Sequence, residues 1–251
     1  MGKLDEIIIA HRGESFDAPE NTLASINLAW ERGAKSVEID IQLTLDSEVV
    51  VIHDYDTLRI SGVKKIIKNS SLQELRNLDF GSHKNIKWQN ERIPTLKEVL
   101  QTVPIDGKLI IEIKNDQRIL DKLKIELDQS KLKNSQIELI AFNVHTLATA
   151  KQMMSEYKML WLLELDYSWP HWMIWINKKR IINKVKKLKL EGVNVWAGKI
   201  LNKNFIEKFK RSGLLIYSWT VNSPEQAKIL MESGIDGITS DRPSWMAQQL
   251  K

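Results

Sequence analysis

The sequence predicts an α/β fold: a TIM (β/α)8 barrel with a small insertion after its second barrel strand, built as one domain over residues 1–251. Three observations carry that prediction. Eight short apolar runs, separated mostly by helix-like stretches, give the alternation of a barrel. No glycine-rich loop follows the first run, which disfavours a doubly wound nucleotide-binding sheet, the nearest competitor. Polar residues gather where the runs end, and barrels of this kind hold their active sites there.

The elements follow in order. Ile7–Ala10 reads as a buried strand running into His11-Arg12-Gly13. After Pro19-Glu20-Asn21-Thr22 an amphipathic helix extends to Arg32 and stops at Gly33. Val37–Leu43 and Val49–Ile52 are β-type runs joined by a polar Asp46-Ser47 pair, the pattern of a hairpin. Residues 55–92 have weak periodicity and make up most of an insertion placed at about 43–92. Thr95-Leu96-Lys97-Glu98 is a capping box that opens a short helix. Strands at 108–113, 137–142, 159–164, 193–196, 214–220 and 237–240 then alternate with helices near 116–129, 145–156, 177–190 and 203–212. A further helix starts at Ser223-Pro224, with an N-cap serine and proline in its first turn.

Composition narrows the function classes. Charged residues are 27% and hydrophobic ones 43%, an ordinary globular balance. With no cysteine, disulfides and thiolate metal sites are ruled out. The net charge of +5 is a mild excess that suits anionic ligands and argues weakly for nucleic acid, whose binding is not expected. Ile7–Ala10 is too short for a signal-peptide core or a membrane span, so a cytoplasmic protein is expected.

The hairpin carries the chemistry. Centring its turn on Asp46-Ser47 sets Asp40 opposite His53, while Glu38 shares a face with Asp40. The plain alternative is that Glu38 and Asp40 are solvent-facing residues of an amphipathic strand. His11, Glu112 and Lys114 also end strands, which favours a site. Glu38, Asp40 and Glu112 form a hard oxygen-donor set suited to one divalent cation, Mg²⁺ or Ca²⁺. Histidine is the residue type that titrates near neutrality, so the pair His11 and His53 suits acid–base work across one displacement. Arg12 and Lys114 add fixed positive charge for a phosphate. Together these describe phosphoryl transfer or phosphodiester cleavage.

His11-Arg12-Gly13 with Ala18-Pro19-Glu20-Asn21-Thr22 resembles the opening signature of the glycerophosphodiester phosphodiesterase family. The resemblance continues through Val37–Asp40, Leu43-Thr44, Val50–Asp54, Ile93–Leu96, Glu112–Lys114, Trp219–Asn222 and Asp236–Pro243, in the family's order and across nearly the whole chain. It implies a metal-dependent hydrolysis of small-molecule glycerophosphodiesters to glycerol 3-phosphate and an alcohol. It also implies Glu38, Asp40 and Glu112 as metal ligands, His11 and His53 as the acid–base pair, and Arg12 and Lys114 on the phosphate. Glu20 and Asn21 would support the site, and Trp219 would line the glycerol end. Two positions depart from the pattern: Ala141 stands where serine is common, and bulky Trp161-Leu162-Leu163 where a small residue is frequent.

Trp169, Trp172, Met173 and Trp175, followed by Lys178-Lys179-Arg180, read as a hydrophobic plug over the barrel mouth. The sharper expectation is a substrate wall, or a weak contact of the 169–180 segment with an anionic membrane surface. Lysophospholipid cleavage and a catalytically silent binding barrel are the alternative functions.

Overall fold

The structure, a computed structural model, describes residues 6–115, 117–165 and 171–251, with the backbone alone for 171–177. Among the described residues there are nine strands: β1 (Ile8–His11), β2 (Ser36–Leu43), β3 (Val49–Val51), β4 (Lys108–Ile113), β5 (Ile137–Ala141), β6 (Lys158–Leu163), β7 (Gly192–Trp196), β8 (Leu215–Trp219) and β9 (Gly237–Ser240). Their order is β1-β9-β8-β7-β6-β5-β4-β2-β3, and β1 also pairs with β2. Eight strands are therefore parallel and close on themselves, and β3 lies antiparallel on β2 as an extra strand. This is the TIM barrel that the alternation predicted.

Side chains alternate between two cores. Ile8, Val37, Ile39, Ile41, Leu109 and Ile111 face outward into the layer of helices. Ile9, Ile110, Ile140, Leu160, Leu162 and Tyr217 fill the interior of the barrel. Parallel strands covered on both faces are buried along their length, which is why these runs are almost continuously apolar. Glu38 and Asp40 share the parity of the inward face, so they point into the barrel and not to solvent.

Helix α1 (Leu23–Glu31) is capped by Thr22, whose hydroxyl accepts from the Ser25 N–H at 3.3 Å. Between β3 and β4 the insertion forms α2 (Leu58–Ser61) and α3 (Leu72–Arg76), and α4 (Leu96–Leu100) then opens on a complete Thr95–Glu98 capping box. The insertion has its own small core of Val50, Ile52, Ile60, Ile67, Leu75, Phe80 and Ile93. Strand β3 splits by parity: Val50 faces that core and Val49 and Val51 face the main one. The remaining helices are α5 (Leu120–Gln129), α6 (Val144–Met153), α7 (His171–Lys187), α8 (Lys203–Lys210), α9 (Pro224–Glu232) and α10 (Pro243–Gln249). Helix α7 begins at His171, before the expected start near Asn177. Among the described residues no helix is long and apolar enough to cross a membrane.

Candidate active site

The parallel register assembles the site. His11 at the end of β1 is level with Glu38 on β2, and Asp40 is level with Glu112 on β4. Immediately after His11 the chain turns sharply, with Arg12 at φ 56° and Gly13 at φ 84°. A side chain at Gly13 would strike the Ser25 backbone at 2.5 Å, so glycine lets this loop lie against α1. The turn aims the Arg12 N–H at Glu38 Oε2 (3.2 Å) and brings its Nε to 3.1 Å from Asp40 Oδ2. Its Nη1 donates to Glu20 Oε1 at 2.8 Å.

The hairpin corrects one expectation. Gln42 pairs with Val50 and Leu43 with Val49, so Asp40 falls level with Ile52 and not with His53. The loop has three residues, Leu45-Asp46-Ser47, closed by Ser47 in the left-handed region at φ 61°. Asp46 stabilises that form by accepting from the Thr44 hydroxyl at 2.6 Å and from the Leu72 N–H at 3.1 Å. His53 nevertheless reaches the site, because the chain bends away from the ladder after Ile52. The Gln42 amide fixes the bend by donating to the carbonyls of Ile52, His53 and Asp54.

Glu38, Asp40 and Glu112 are 3%, 1% and 8% exposed, and one oxygen from each lies within 4.8 Å of the others. Burial, with Asp40 and Glu112 beside it, pushes the Glu38 carboxyl well above its usual value. Glu112 is pushed up to about 7 by burial and by Asp40. Asp40 goes the other way: burial opposes its charge, but Arg12 and Lys114 outweigh burial and hold it below the usual range. Asn21 brackets Asp40, donating through Nδ2 to Oδ2 (2.8 Å) and accepting the Asp40 N–H at Oδ1 (3.2 Å). Lys114 Nζ sits 2.8 Å from Glu112 and 3.5 Å from Asp40.

Asp40 Oδ1 is buried and accepts no hydrogen bond from the described residues, its nearest cation being the Lys114 ammonium at 3.5 Å. Three dry carboxylates this close repel one another, and a hard divalent cation is the group that such a donor set accommodates. The residues present fit it.

Both histidines are held the same way. Asp241 Oδ1 lies 2.6 Å from His11 Nδ1, and Asp54 Oδ1 lies 2.7 Å from His53 Nδ1. A carboxylate on Nδ1 leaves Nε2 to meet a ligand. His11 Nε2 is 4.0 Å from Glu38 Oε2, at the edge of the carboxylate cluster. Asn222 orients Asp241, donating to its Oδ2 at 2.6 Å and accepting its N–H at 2.9 Å. Arg59 orients Asp54 at 2.7 Å and also donates twice to Glu20. Arg59 of the insertion therefore ties Glu20 to Asp54 at the rim. The sequence reading had assigned no role to Asp54, Asp241, Asn222 or Arg59. Asp54 and Asp241 are legible as acids beside a histidine and at a strand end, and Asn222 lies in the matching Trp219–Asn222 stretch; Arg59 has no local signal.

Beside these groups a cavity of about 290 Å³ opens at the C-terminal mouth of the barrel. His11, Arg12, Glu38, His53, Glu112 and Lys114 form one side, and Ile140, Phe142, Leu162, Glu164 and Trp219 face them. Phe142 meets Trp219 edge to face, with centroids 5.5 Å apart. Leu162 belongs to this wall, while Trp161 packs against the outer core and its indole donates to the Phe142 carbonyl at 3.1 Å. Ala141 is fully buried. All ten predicted site residues lie in this region, Glu20 and Asn21 behind the cavity wall. Trp169 lies outside the described residues, as do the side chains of Trp172, Met173 and Trp175.

Residues 11–244 match the glycerophosphoryl diester phosphodiesterase family. The Bacillus subtilis protein YhdW is 34% identical across 97% of this chain and 98% of its own. The glycerophosphodiester phosphodiesterase of Caldanaerobacter subterraneus subsp. tengcongensis is 31% identical across 94% of each chain. Among solved structures, the Oleispira antarctica phosphodiesterase in complex with its product sn-glycerol-3-phosphate superposes with a TM-score of 0.84. That pair is 28% identical, and the match covers 97% of this chain and 96% of the other.

Proposed function

The chain belongs to the glycerophosphoryl diester phosphodiesterase family of phosphoric diester hydrolases, and from that membership we propose that it hydrolyses small glycerophosphodiesters to glycerol 3-phosphate and an alcohol by metal-dependent His/His acid–base catalysis. The observation that carries the reading is one cavity lined by two carboxylate-held imidazoles, two cations and the carboxylates of Glu38 and Glu112, with Asp40 clustered against those two acids behind the wall.

Glu38, Asp40 and Glu112 would hold one divalent cation, Mg²⁺ or Ca²⁺. When bound, it draws charge from the phosphoryl oxygens and so lowers the barrier to displacement. Arg12 and Lys114 orient the phosphate by direct charge-assisted contact. One imidazole takes the proton of the glycerol 2-hydroxyl through Nε2 as that oxygen bonds to phosphorus. The other, protonated, gives its proton to the alcohol oxygen as the phosphorus–oxygen bond breaks. Water then opens the cyclic phosphate with the roles exchanged. Asp241 and Asp54 act through the histidines as positioning residues, and Trp219 packs against the glycerol carbons.

The test is release of glycerol 3-phosphate from glycerophosphocholine. Expected are loss of turnover with EDTA, recovery with added Mg²⁺ or Ca²⁺, and a drop of about 10³-fold in His11→Ala. Cleavage of lysophosphatidylcholine with none of glycerophosphocholine would overturn the substrate assignment.

A further inference from the structure

A second cavity, also about 290 Å³, adjoins the first and shares Lys114 with it. Tyr55, Ile66 and Lys68 of the insertion form its outer wall, and Asn115 and Arg118, after β4, its inner one. Among the described residues lining it, three are cationic and none is a carboxylate. Its outer wall is fixed. The Ile67 N–H donates to the Tyr55 carbonyl at 3.0 Å, the Thr57 N–H to that of Lys65 at 3.1 Å, and Asp56 bridges Ile66. Ile67 is itself fully buried in the small core of the insertion, which anchors the turn that presents Lys68.

We propose that this cavity takes a second anionic group carried by the leaving alcohol, so that the protein favours glycerophosphodiesters whose alcohol bears its own phosphate. This rests on the reading of the first cavity as the phosphodiester site. Two features set the direction. Lys114 borders both spaces, so a substrate held at the first cavity has the second directly alongside. The opposite wall of the first cavity is apolar and holds Glu164, which repels an anion, whereas Lys68 and Arg118 attract one.

A matched pair of probes tests it: glycerophosphoglycerol, and bis(glycerophospho)glycerol, which adds a second glycerophosphoryl group to the same alcohol. For the wild type, kcat/KM is expected to be about tenfold higher for the second probe, after allowing for its two equivalent ends, and the preference shrinks with added salt. Lys68→Met with Arg118→Gln is expected to remove most of that preference through KM, and Lys68→Arg to retain it. Equal kcat/KM for both probes in the wild type, or an unchanged ratio in the double variant, would overturn the subsite. So would inhibition by inorganic phosphate that the double variant relieves without any change in that ratio, since this would mark a site for free anions alone. Failure of the wild type to cleave glycerophosphoglycerol at all would overturn the parent reading instead.

Discussion

Around the barrel mouth the ends of β1, β2 and β4 carry charged side chains tied to one another, whereas β5, β6 and β8 present Phe142, Leu162 and Trp219. On the charged side nearly every group has a named partner: His11 with Asp241, His53 with Asp54, Asp40 with Asn21, and Glu20 with Arg12 and Arg59. On the aromatic side the walls touch by packing, and the buried Trp219 indole N–H and Asn194 Oδ1 have no hydrogen-bond partner among the described residues. Directional bonds fix atoms to a few tenths of an ångström, and loss of one partner strands a buried charge. Packing contacts are weaker individually and re-form around a smaller side chain. The proposed chemistry thus falls on the half that tolerates least change, and the proposed substrate wall on the half that tolerates more.

The largest break in that contrast should come from Asp241→Asn. His11 would lose the carboxylate that fixes its tautomer, and kcat should fall about 100-fold while KM changes little. The pH–rate profile should shift as well, a change that mere loss of stability would not produce.

Next in size is Glu20→Gln, read by unfolding and not by turnover. The two arginines hold the Glu20 carboxyl down at about 2 against burial, from an ordinary 4.5. A depressed carboxylate stabilises the fold above its unfolded pKa and loses that contribution as pH falls through the folded one. The variant should therefore be less stable by on the order of 3 kcal/mol at pH 7. Denaturant titrations should show that gap narrowing as pH drops from 5 towards 3. A gap that stays constant with pH would mean the arginine clamp is not what Glu20 contributes.

Smallest is Trp219→Leu, for which KM should rise about fivefold with kcat within about twofold. A loss in kcat as large as that of Asp241→Asn would show that the aromatic wall shares in the chemistry, and the contrast between the halves would fail.

Much of this was legible in short stretches. The His11-Arg12-Gly13 turn, the Glu38/Asp40 parity, and the strand ends at Glu112 and Lys114 each depend on neighbours within a few residues. Backbone period and turn chemistry act at that range. The register of the hairpin was not legible, because two- and three-residue loops share the same polar pair. The choice fell to Asp46 bonding Thr44 and the distant Leu72 N–H. Arg59, which joins Glu20 to Asp54, carried no local pattern either, and the Trp219–Asn222 stretch gave no sign that Asn222 positions Asp241.

The sequence by itself determined the barrel, the inward face of its second strand, and the kinds of group available for chemistry, because alternation and residue type are local properties. Only the tertiary structure decided which carboxylate holds which histidine, how Asp40 stays ionised beside two other acids, and that Lys114 borders two cavities. Those outcomes depend on distances between residues up to 230 apart in the chain, and burial sets their strength.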